Sequence, residues 1–202
     1  MDNDKKKNES GSSISIVAAL GNMGDKYEFT RHNIAWLLIE RLSFYSQLDW
    51  HSKFNGLYAP YRLGDEVIFF LKPMTFMNLS GQSVAALMKF YKLKPSEVLV
   101  IHDDLELDFG TIGFKRGGGL GGHNGLRSLN SCLGTPDFNR LRLGISRPPH
   151  TDITSYVLGP FSRQEQEYLP SYLDESARLL ELCLEQGFDS MEKPYRKKNL
   201  LA

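Results

Sequence analysis

Glu97-Val98-Leu99-Val100-Ile101-His102-Asp103 is an apolar run that closes on ionisable side chains. An unbroken run of this length is the pattern of a strand buried on both faces in a parallel sheet. Alternation along such a strand sends Asp103 to the face opposite His102 and Asp104. Upstream, Ile14 to Leu20 is a second short apolar run, ending at Gly21 and delivering Asn22 and Gly24 into a loop. Thr30 is a good helix N-cap, and Ile34, Leu37, Leu38 and Leu42 follow it at mostly helical spacing. His32 is then expected in the first helical turn, where the positive end of the helix dipole lowers an imidazole pKa and keeps the ring a proton acceptor.

The remaining elements alternate in the same way. Phe54 to Pro60 and Glu66 to Leu71 read as strands joined at Gly64-Asp65, and a helix spans about Gly81 to Tyr91 until Pro95 breaks it. Thr111 to Arg116 is a strand, followed by the glycine run Gly117 to Gly122 and a helix over about His123 to Cys132. Arg140 to Ser146 is a further strand, and an amphipathic helix runs from about Ser171 to Gln186, with Leu173, Ala177, Leu180 and Leu184 as its apolar stripe. The expected fold is α/β: a single-domain sandwich of a mixed, largely parallel twisted sheet with helices on both faces. Ligands of such sheets bind beyond the C-terminal ends of the central strands. That rim collects Asn22, His32, Asn78, Asp103 and Asn124.

Composition narrows the function classes. The 202 residues suffice for one substantial core, read as residues 14–190. A polar, disordered N-terminal tail is expected over 1–13 and a basic C-terminal tail over 191–202, containing Arg196-Lys197-Lys198. Lys5-Lys6-Lys7 has no apolar stretch after it, which argues against a signal peptide, and no run approaches a membrane span; the expected location is the cytoplasm. Cys132 and Cys183 form no Cys-x-x-Cys pair, which gives no support to a disulfide framework or a zinc site. Net charge is zero, yet Gly110 to His150 holds Lys115, Arg116, Arg127, Arg140, Arg142 and Arg147 against Asp137, while acids crowd Glu165 to Glu192. A locally basic face of this kind binds phosphates despite overall neutrality.

Several motifs have more than one reading. The glycine run contains G-x-G-x-x-G, but it lies past the middle of the chain, whereas a dinucleotide fingerprint sits on a first strand. It reads better as a side-chain-free gate beside Lys115 and Arg116. A divalent-metal site at His102-Asp103-Asp104 is disfavoured because strand alternation divides the trio between faces. Asp103 is better placed to orient a histidine and stabilise its charged form. Asn78 and Asn124 are amides at helix mouths, read either as caps or as donors to a carbonyl or oxyanion. His123 is expected to pack or hydrogen-bond, because nothing in the sequence pairs it with a carboxylate.

Gly21-Asn22-Met23-Gly24, Tyr27, Thr30-Arg31-His32-Asn33, Lys72 to Gly81 (KPMTFMNLSG), His102-Asp103-Asp104-Leu105, Gly117 to Leu126 (GGGLGGHNGL) and Phe138 to Ile145 resemble bacterial peptidyl-tRNA hydrolase in order and spacing, over about Ile14 to Gly187. The resemblance implies hydrolysis of the ester between a peptide and the 3′ ribose of tRNA. It also implies His32 as general base on water and Asp103 as its orienting partner. Asn22, Asn78 and Asn124 would then bind and polarise the substrate, with Tyr27, Phe76 and Met77 along the peptide groove and Lys115 and Arg142 on tRNA phosphates. Peptidyl-tRNA is the implied partner of a monomer that needs no metal or organic cofactor and engages no membrane or DNA. The pattern departs at Met23, where the family usually has proline, at Leu120, often polar or basic, and at Gly113, often basic. Two alternatives stand beside the hydrolase: a non-catalytic RNA-binding relative and a nucleotide-dependent oxidoreductase built on the glycine run.

Overall fold

The computed structural model describes residues 13–148 and 152–201. The expectation of a disordered tail over 1–13 therefore falls almost wholly outside the described residues. The described chain forms one eight-stranded mixed sheet in the order β2-β3-β4-β1-β5-β7-β6-β8. Its centre is parallel: β1 (Ile16–Ala19) lies between β4 (Glu66–Pro73) and β5 (Val98–Asp104), and β5 pairs with β7 (Asn139–Gly144). Antiparallel strands flank this centre, with β3 (Gly56–Leu63) and β2 (His51–Lys53) on one side and β6 (Thr111–Arg116) and β8 (Lys198–Asn199) on the other.

Alternation along the central strands divides the core into two layers. Val17, Ala19, Leu99 and Ile101 face a cluster that includes Ile34 and Leu38 of α1 (Ile34–Ile39), Leu173 and Leu180 of α5 (Arg163–Gln186), and Phe188 of α6 (Phe188–Glu192). Ile16, Ala18, Val98 and Val100 face the opposite cluster, with Val84 and Leu87 of α2 (Ser80–Tyr91) and Leu126 and Leu129 of α3 (Asn124–Leu133). A short α4 (Ile153–Val157) precedes α5. This is the expected α/β sandwich, helices on both faces.

Several boundaries differ from the sequence reading. The segment opened by Thr30 is a 3-10 turn, Arg31–Asn33, before α1, and the Thr30 hydroxyl donates to the Tyr27 carbonyl at 2.8 Å in place of capping the turn. Helix α2 ends at Tyr91 as expected, but it is Lys92 in the left-handed conformation, not Pro95, that caps it. Helix α5 starts at Arg163, where a Ser162–Glu165 capping box fixes its first turn. The C-terminal segment, expected as a tail, instead returns to the sheet: Met191 is buried, and β8 pairs Asn199 with Thr111 and Lys198 with Ile112.

Candidate active site

β1 and β5 run in register, Ala19 beside Ile101, so the residues following each arrive at the same rim. Asp103 continues the Leu99–Ile101 face, which α1 covers, and it meets His32 from the turn before that helix. The rim opens into a cavity of about 740 Å³. Asn22, Tyr27, His32, Phe76, Met77, Asn78, Asp103, Lys115, His123, Asn124 and Arg142 all line it. All ten residues expected at the site thus surround one space, and His123 joins them.

The buried Asp103 carboxylate holds two rings. Its Oδ1 lies 2.8 Å from His32 Nδ1 and 2.9 Å from His123 Nε2. Burial works against the charged carboxylate, but the two histidines outweigh it and hold Asp103 far below the usual carboxylate range. An ionised Asp103 accepts only, so both facing nitrogens carry protons. His123 is also the N-cap of α3: its Nδ1 accepts the backbone N–H of Gly125 at 3.1 Å and of Leu126 at 3.4 Å. Both His123 nitrogens are therefore occupied. Among the described residues His32 Nε2 has no hydrogen-bond partner, and with Nδ1 protonated toward Asp103 it is the nitrogen that accepts whenever the ring is neutral.

Two expectations change here. The helix dipole was to lower the His32 pKa; burial does pull it down, but the Asp103 charge and hydrogen bond prevail and raise it above 6.5. His123 hydrogen-bonds as expected, but its partner is a carboxylate that nothing in the sequence had paired with it, the Asp103 that also holds His32. The third nearby histidine is excluded as a base. His102 Nδ1 donates to the Asp103 carbonyl at 2.7 Å, and burial, reinforced by His123, pushes its pKa down to about 3.

His32, Asp103 and His123 also offer ligand atoms within 4.8 Å of one another, a spacing that suits a metal ion. Both ring nitrogens, however, point at the same Asp103 oxygen at hydrogen-bond distance, and an ion would have to break both bonds to enter. Asp104 turns away, its Oδ2 accepting Arg142 Nε at 2.7 Å.

The asparagines present their amides differently. Asn22 is buried, and its Oδ1 accepts the Met77 backbone N–H at 2.8 Å, which leaves the NH2 group for the cavity. Asn33 holds the Asn22 backbone through two bonds, at 2.8 and 3.0 Å. Neither Asn78 nor Asn124 is a cap: Leu79 and His123 occupy those positions, and both asparagines are exposed at the cavity mouth. Phe76 is exposed and Met77 buried beneath it.

The glycine run owes its composition to backbone geometry. Gly117, Gly118, Gly121 and Gly122 all have positive φ, the region that glycine enters freely. Arg140, buried and absent from the sequence-derived site, anchors the run by donating to the carbonyls of Gly119 at 2.7 Å and Gly118 at 3.0 Å. A dinucleotide fingerprint needs the run to follow the first strand and open onto a phosphate; here it follows β6, an antiparallel strand. No helix among the described residues is long and apolar enough to cross a membrane.

Known proteins resemble this chain in sequence and fold. The family model described as peptidyl-tRNA hydrolase matches residues 16–201. A peptidyl-tRNA hydrolase of Pelobacter propionicus is 45% identical over 190 residues, covering 94% of this chain and 98% of that protein. One from Trichlorobacter lovleyi is 44% identical over 187 residues, covering 92% and 97%. The crystal structure of peptidyl-tRNA hydrolase from Acinetobacter baumannii superposes with a TM-score of 0.84 at 33% identity, covering 93% of this chain and 96% of that one. With the model spanning nearly all of the sheet, the cavity and its paired histidines, the chain belongs to the peptidyl-tRNA hydrolase family.

Proposed function

We propose that this enzyme hydrolyses the ester joining a peptide to the 3′ ribose of tRNA, with His32 as general base. The observation that carries the reading is the asymmetry of the two histidines on Asp103: His123 has both nitrogens bonded, whereas His32 keeps Nε2 open to the cavity. Nε2 takes a proton from water as the water oxygen attacks the ester carbonyl, and Asp103 stabilises the imidazolium that forms. The amides of Asn22, Asn78 and Asn124 bind the peptide and polarise that carbonyl, and its developing negative charge gains from donors fixed in advance. Collapse of the tetrahedral intermediate breaks the bond to the ribose oxygen, which takes the proton back from His32. The products are a peptide carboxylate and free tRNA.

Tyr27, Phe76 and Met77 form the peptide-facing wall, and Lys115 and Arg142 meet the RNA phosphates. The test is release of free tRNA from an N-blocked aminoacyl-tRNA, with EDTA present and His32→Ala as control. Turnover that resists EDTA and disappears in the variant is expected. Tight tRNA binding without turnover in the unmodified protein would assign it to the RNA-binding alternative.

A further inference from the structure

We infer that the C-terminal segment 193–197 is part of the RNA-binding surface, adding Lys193, Arg196 and Lys197 as a phosphate-binding wall beside the catalytic cavity. The inference rests on the proposed substrate and extends it to a part of the chain that composition alone marked as a tail.

The segment is held in place by the fold. The Phe114 N–H donates to the Tyr195 carbonyl at 2.8 Å, and Leu200 N–H to Gly110 at 2.8 Å, so 195–200 lies along the outer edge of β6. Gly113, in the middle of that strand, allows the approach: a Cβ there would lie 2.8 Å from the Arg196 carbonyl oxygen. Bare backbone at 113 therefore lets the C-terminal segment pass directly over the strand, next to Arg142, which is Gly113's neighbour on β7.

The result is a second cavity, of about 480 Å³, lined by Lys115, Arg142, Lys193, Arg196 and Lys197, with Glu106 at its edge. It shares Glu106, Lys115 and Arg142 with the catalytic cavity, so the two adjoin at these side chains. The charge balance favours an anion. Glu106 is engaged by Arg147, and Arg142 is partly neutralised by Asp104. Among the described residues, Lys115, Lys193, Arg196 and Lys197 have no carboxylate within ion-pair distance. Four uncompensated cations around a concave surface raise the local concentration of a polyanion. A basic cavity adjoining the ester-cleaving site is within reach of the backbone of an RNA attached to that ester, and phosphate contacts of this kind position RNA without reading its sequence.

The test compares the full chain with Lys193→Gln/Arg196→Gln/Lys197→Gln, which removes charge and keeps most of the side-chain length. For N-blocked aminoacyl-tRNA at low salt, KM should rise about tenfold and the log–log salt slope should flatten by about 1–2, as two or so phosphate contacts are lost. Hydrolysis of an N-blocked aminoacyl ester of a CCA trinucleotide, too short to reach the second cavity, should be unchanged. A salt slope and KM equal to those of the unmodified protein would overturn the inference, as would an equal loss on both substrates. The single variants Arg196→Gln and Arg196→Lys guard against misfolding: the first should show part of the effect and the second none. Should the unmodified protein bind tRNA without cleaving it, the hydrolase reading fails, and the same slope comparison made on tRNA binding still decides the role of the segment.

Discussion

Asn22 Oδ1 accepts the backbone N–H of Met77 at 2.8 Å, and this bond fixes which end of the amide faces the cavity. A backbone N–H can be met only by the oxygen, so the Asn22 NH2 group is the end presented to a substrate. Asn22→Asp keeps an oxygen for Met77 and removes the donor. The variant should fold with a thermal midpoint within a few degrees of the unmodified protein while kcat/KM falls by about 10–100-fold, the value of one well-placed donor to a developing charge. Unchanged kcat/KM would mean that the Asn22 amide does not touch the reacting carbonyl.

The two histidines on Asp103 should separate in function. His32→Ala deletes the proposed base and little core volume, and kcat should fall by about 10²–10⁴ with the fold retained, His123 remaining as a donor to Asp103. His123→Ala removes the N-cap of α3 and one of the two donors to Asp103. It should lower stability by about 1 kcal/mol or more, and kcat less severely than the loss of His32. Steady-state kinetics beside thermal melts would show the split, and equal losses of kcat would remove the distinction between the rings.

The pH profile follows from the Asp103 pairing. His32 serves as base only when neutral, so kcat/KM should rise with pH and level off above an apparent pKa higher than 6.5, because Asp103 holds the ring's pKa up. In Asp103→Asn the burial remains and the negative charge is gone. The acid limb should then move to lower pH, and the plateau should drop because the ring has lost the partner that fixes its tautomer. An acid limb that stays in place in the variant would show that His32 is not the group titrating.

Much of this was legible before any coordinates. The run Val98 to Ile101 pointed to a central parallel strand, and strand alternation correctly sent Asp103 and Asp104 to different partners, His32 and Arg142. What escaped depended on contacts between distant residues or on exposed segments. β2 is a three-residue exposed edge strand with no apolar pattern to mark it. The first two turns of α5 carry Gln164, Glu165, Gln166 and Glu167 and precede Pro170, so periodicity places its start eight residues late. The Ser162–Glu165 capping box was the available signal. His123 and Asp103 lie 20 residues apart, and only the fold brings them together. The His32 pKa was misjudged because the local dipole was taken as decisive, although Asp103, 71 residues away, was itself expected to orient a histidine and stabilise its charged form.

Arg31, next to the proposed base, ties that turn to the start of α5. Its guanidinium is buried against the faces of Tyr156 and Phe161, with Nη2 2.6 Å from Glu165 Oε2. Nη1 donates to the Pro160 carbonyl. Glu165 also accepts the Ser162 N–H at 2.6 Å, so one carboxylate serves both the ion pair and the capping box of α5. Glu165→Ala leaves a buried cation without its counter-charge and removes half of the cap, and it should cost about 3 kcal/mol or more. For a chain of this size the thermal midpoint should fall by about 6–12 °C. Replacing both partners, as Arg31→Met with Glu165→Ala, should recover part of that loss, because the penalty arises from an unpaired buried charge more than from the missing attraction. A double variant as unstable as the sum of the two single ones would show that Arg31 and Glu165 are not energetically coupled.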